Sequence, residues 1–220
     1  MTTKAKEPFQ FYSRLHLAEL TGLKAANLAE LLELIKTVPG SCIYHHTHRF
    51  LEQHLDLSPE PPNDFAYWVT EELGDMDLGE KLSSIDTIQF PTIRSLREKI
   101  VATIEDHLKE TPSAQARFVE KPHEFHFLKS KSFIFPTHYI ANDRKEFADI
   151  LKIISVNSIY FHIFEARLRL EKSSNDFSAW IADSVGNPDL ARKIAGLDPY
   201  TYTMNDLRRK IIKIVESGMT

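Results

Sequence analysis

The chain has 220 residues, 42% of them hydrophobic, 26% charged and 10% aromatic, enough to bury a sizeable core as one large domain or two small ones. Seven glycines and one cysteine leave no G-x-G-x-x-G or G-x-x-x-x-G-K-[ST] phosphate loop, no C-x-x-C pair and no intrachain disulfide. There is no signal pattern and no apolar run of roughly 18 residues, so a soluble, cytoplasmic chain is the expectation. Residues 1–110 carry 11 Lys+Arg and 18 Asp+Glu, and residues 111–220 carry 16 and 13; neither balance gives the strongly basic face that nucleic-acid binding requires.

Along the chain, alternation of Phe9, Phe11, Leu15 and Leu17 predicts one or two short strands. Asn27 with Glu30 then caps an amphipathic helix whose apolar stripe is Leu28, Leu31, Leu32, Ile35 and Val38. A second helix from Ser41 carries Cys42-Ile43-Tyr44-His45-His46. A third opens at Asn63 and closes at Gly74, a short fourth ends near Asp86, and a fifth runs from Thr92 to about Lys109.

The same order then returns. Ser158-Ile159-Tyr160-Phe161-His162 matches residues 42–46 at an offset of 116. That offset also pairs Asn27 with Asp143, Glu30 with Glu146, and Phe9/Phe11 with Phe125/Phe127. At an offset of 112, Asn63-Asp64-Phe65 and Trp68 match Asn175-Asp176-Phe177 and Trp180. The expected fold class is therefore mainly α (α+β with short strands at the start of each copy), an internal tandem duplication with pseudo-two-fold symmetry. The copies span 7–109, with a Pro-rich insertion at 56–62, and 123–217. A linker at 110–122 separates them, and the two copies share one core.

Four strings extend this reading: Tyr44–Leu51 (YHHTHRFL), Ser58–Trp68 (SPEPPNDFAYW), Ile159–Leu170 (IYFHIFEARLRL) and Leu197–Thr203 (LDPYTYT). They resemble signature strings of an uncharacterised prokaryotic domain-of-unknown-function family, over nearly the whole chain. The resemblance implies a cytoplasmic prokaryotic protein and supplies no reaction, cofactor or catalytic residue.

Polar residues shared by both copies, such as His46 and His162, read as parts of the common fold, at the edge of the core. The single-copy face is different. On an α-helical wheel His45, His48 and Glu52 converge, where the second copy has Phe161, Phe164 and Leu168. Arg49, Glu60 and the Pro-rich loop lie beside them, so these five residues form the candidate ligand or partner surface, partly exposed. Two imidazoles and a carboxylate suit Zn²⁺ or acid/base work. Without a recognised catalytic motif, the leading expectation is a non-enzymatic binding or scaffold protein with a protein partner. The alternative is a metal-dependent or His acid/base hydrolase-like enzyme centred on His45, His48 and Glu52. The residues name no cofactor and no oligomeric state.

Overall fold

The computed structural model describes residues 4–49, 63–166, 174–197 and 201–217. Two strands, β1 (Lys4–Ala25) and β2 (Phe125–Asp143), pair as a two-stranded antiparallel sheet. Thr137 Oγ1 donates to the Phe11 carbonyl (2.8 Å) and Thr21 Oγ1 to the Phe127 carbonyl (2.7 Å), so β2 recedes as β1 advances.

Between the strands come α1 (Leu28–Thr37), α2 (Gly40–Tyr44), a π-helical turn (His45–Arg49), α3 (Asp64–Glu71), α4 (Met76–Ser83) and α5 (Ile93–Glu110). After β2 come α6 (Arg144–Ile153), α7 (Val156–Tyr160), a second π-turn (Phe161–Glu165), α8 (Asp176–Asp183), α9 (Pro188–Ala195) and α10 (Met204–Glu216). Side-chain caps start most of them. Asn27 accepts from Glu30 N–H while the Glu30 carboxylate accepts from Ala26 N–H, and Asp143 and Glu146 repeat the arrangement. Gly74 and Gly186, at φ 70° and 72°, turn the chain out of α3 and α8 in the left-handed region open to glycine.

The expected fold class is corrected on two points. First, the strands are long, at 22 and 19 residues. Among the described residues helix accounts for 59% and strand for 23%, so mainly α fits roughly and the expectation of short strands does not.

Second, the expected tandem duplication is unconfirmed, and the compact units cut across the expected spans 7–109 and 123–217. An N-helical unit holds β1 from His16, α1–α5 and β2 up to Lys131. A C-helical unit holds β1 up to Leu15, β2 from Ser132 and α6–α10. Each has its own core, in place of the shared one expected. In the N-helical unit Phe125 and Phe127 pack with Leu31, Ile35, Phe65 and Trp68. In the C-helical unit it is Phe9 and Phe11 that pack with Phe147, Leu151, Phe177 and Trp180. Each strand's leading phenylalanines thus fill the core of the other half's helices. Residues 110–122 are likewise no free linker, for Ala114 and Val119 are buried in the N-helical core and Val119 N–H bonds the Ala26 carbonyl at 2.8 Å.

Candidate functional site

The histidines shared by both halves hold strands to helices. His46 Nε2 accepts from Leu128 N–H at 2.9 Å, which places its proton on Nδ1, the donor to Asp64 Oδ2 at 2.7 Å. In the C-helical unit His162 accepts from Tyr12 N–H at 2.9 Å and donates to Asp176 at 2.7 Å. A His–Asp pair acts as a base through the ring nitrogen facing the substrate; here a backbone amide of the sheet occupies that nitrogen. Trp68 and Trp180 add parallel ties, their indole N–H groups donating to the His123 and Glu7 carbonyls at 2.7 and 2.8 Å. So do Arg97 and Arg208, which bond the Val38 and Ile154 carbonyls at 2.6 and 2.8 Å.

Of the single-copy face, His45 and His48 are buried, where partial exposure was expected. His45 is 5% exposed and His48 4%. Their rings do not converge on one point. His45 Nδ1 meets Ser130 Oγ at 3.0 Å, while His48 Nδ1 meets Thr47 Oγ1 at 2.8 Å and its ring stacks on Tyr44, centroids 5.3 Å apart. Thr47 spends its own proton on the Ile43 carbonyl, so His48 is the donor. The cause is local: residues 45–49 form a π-turn, whose i→i+5 bonding shifts every later side chain from its α-wheel position.

Burial, with the neighbouring His46 second, lowers the His45 pKa from 6.5 to about 4. Arg49 is half-buried; Glu52, Glu60 and the insertion at 56–62 lie outside the described residues. No three His, Cys, Asp or Glu among the described residues are grouped to hold a metal ion. Cys42 is fully buried, and burial pushes its thiol pKa up, away from nucleophilic use.

Two features escaped the sequence reading. Asp75 and His107 form a buried pair (Oδ2···Nε2 3.0 Å) tying α5 to the start of α4, where Asp75 also accepts from Leu78 N–H. Arg14, 2% exposed, bonds Glu165 and stacks over the Tyr160 ring at 4.1 Å. Its position on a strand of alternating apolar residues gives no hint of burial.

No helix among the described residues is long and apolar enough to cross a membrane. Among curated proteins none matches the chain significantly. A solved structure, that of OrfY from Thermoproteus tenax, is similar at TM-score 0.80 and 32% identity, covering 97% of this chain and 96% of that one. A family model matches residues 6–216, and the chain belongs to that family, DUF5752, a family of unknown function.

Proposed function

We propose that the protein is a non-enzymatic binding protein, and that the sheet surface of its C-helical unit receives a partner protein. The observation that carries this is the pair Phe133 and Phe135 on one face of β2, exposed at 54% and 46%, with Leu15 exposed at 52% on β1. Water-facing aromatic and branched side chains gathered on one element mark interaction surfaces. On the other face of the strands Ile134 and Tyr12 line a separate open groove of about 560 Å³, together with Phe9, Phe161, His162 and the charged Asp176.

The chemistry of the partner follows from charge. Residues 132–142 contain no Lys, Arg, Asp or Glu, so a charged partner face would be desolvated without compensation. An uncharged apolar face fits. Pro136, which has no N–H, interrupts the edge of β2 and disfavours addition of a third strand. The partner therefore packs on side chains.

A photo-crosslinking residue placed at Phe133 is expected to capture this partner in cells. With the captured protein purified, Phe135→Glu should weaken the complex about 30-fold, the scale of a lost hot spot, with the melting temperature unchanged. A complex insensitive to Phe135→Glu would sink the reading. Crosslinks solely between two copies would replace the partner by a second copy of the chain.

A further inference from the structure

We propose that Arg49, at the end of the π-turn in the N-helical unit, binds a small oxyanion. Arg14, Arg97, Arg208 and Arg49 all have guanidinium nitrogens shielded from solvent. The first three use another nitrogen to bond a carboxylate or a carbonyl. Arg49 Nε and Nη1 are shielded and have no hydrogen-bond partner among the described residues. Arg49 is half-buried, so two of its donors are cut off from water without compensation, which is disfavoured, and a bound anion removes that penalty.

The C-helical unit shows which group is missing. At the offset of 116, Glu165 stands where Arg49 does and Arg14 where Ser130 does. Glu165 and Arg14 close on each other as an ion pair, the arginine buried and the glutamate partly exposed. In the N-helical unit the helix position is the cation, and the strand position is a short hydroxyl that cannot neutralise it. Ser130 is instead held by His45, which replaces Phe161. The acid that acts on His45, Asp64, is bonded to His46. An arginine whose charge reaches the bonded His45–Ser130 pair supplies a guanidinium suited to a carboxylate or a phosphate. Both ligands share that oxyanion chemistry.

The test is a thermal melt of the full chain in sodium phosphate and, separately, sodium succinate, at ionic strength held constant with NaCl. At ten times the dissociation constant the melting temperature should rise by roughly 3–6 °C. A response to phosphate alone assigns a phosphoryl ligand; a response to succinate alone assigns a carboxylate. Arg49→Gln should weaken binding at least tenfold by calorimetric titration. Because that variant could lose stability on its own account, a second one, Arg49→Glu with Ser130→Arg, installs the ion pair of the C-helical unit. It should melt at or above the wild-type temperature without anion and respond to neither salt. No response in the wild type, or equal responses in wild type and Arg49→Gln, would overturn the proposal.

Discussion

Replacing Phe11 by Ala is expected to loosen the C-terminal half of the chain and to leave the helices that directly follow Phe11 in sequence intact. Phe11 is fully buried in the core of the C-helical unit, with Phe147 at 5.3 Å and Phe177 at 6.0 Å between ring centroids. Truncating a buried phenylalanine to alanine costs roughly 3–5 kcal/mol through lost transfer energy and the cavity left behind. At about 2–4 °C per kcal/mol for a chain of this length, the affected unit should melt some 6–20 °C lower. Amide hydrogen exchange separates the two outcomes. Faster exchange in α6, α8 and α10 with α1 and α3 unchanged is the expected pattern, since local opening follows the packed unit. Phe127→Ala should give the mirror result, loosening α1, α3 and α5. Faster exchange in α1 and α3 on Phe11→Ala would show that the strand packs on the helices next to it in sequence.

That exchange of strands was invisible in the sequence for a definite reason. Phe9/Phe11 and Phe125/Phe127 carry the same pattern on the same spacing, so each pair satisfies either helical set equally well. Alternation reveals which side of a strand is apolar, never which helices cover it. Strand length was misread for a related reason: Leu15, Leu17, Phe133 and Phe135 continue the apolar alternation into segments that the structure leaves exposed. What depends on neighbouring residues was legible. The Asn27–Glu30, Asp143–Glu146, Asn63 and Asn175 caps and the turn at Gly74 stand at the expected residues. At the candidate site the residue types were legible and the geometry was not. The α-wheel assumes a constant rotation per residue, and the π-turn breaks it at His45. The links from His46 to Asp64 and from His45 to Ser130 are tertiary, and no local pattern announces them.

His45 gives the second large expected effect, a stability that drains away as the solution is acidified. Its pKa is about 4 in the folded chain against an unperturbed value near 6.5. Burial is the main cause. His46, Arg49 and His16 oppose its charge as well, and Asp64 favours it. A histidine whose folded pKa is depressed keeps its full contribution above pH 6.5. Below that value the unfolded chain takes up a proton that the folded chain refuses until about pH 4, so stability falls through this window as pH falls. The loss by pH 4.5 is roughly 2–3 kcal/mol, at about 1.4 kcal/mol per pH unit. His45→Phe, which installs the residue found at position 161, removes the titrating group. Urea unfolding of wild type and variant at pH 7.5 and pH 4.5 should therefore show the variant gaining on the wild type by that amount in acid. Equal pH slopes in the two proteins would mean that His45 is protonated in the folded chain as readily as in the unfolded one. The same measurement in saturating phosphate links this histidine to Arg49. An anion bound there offsets the guanidinium charge, raises the His45 pKa and narrows the window, so the difference between the two proteins should shrink.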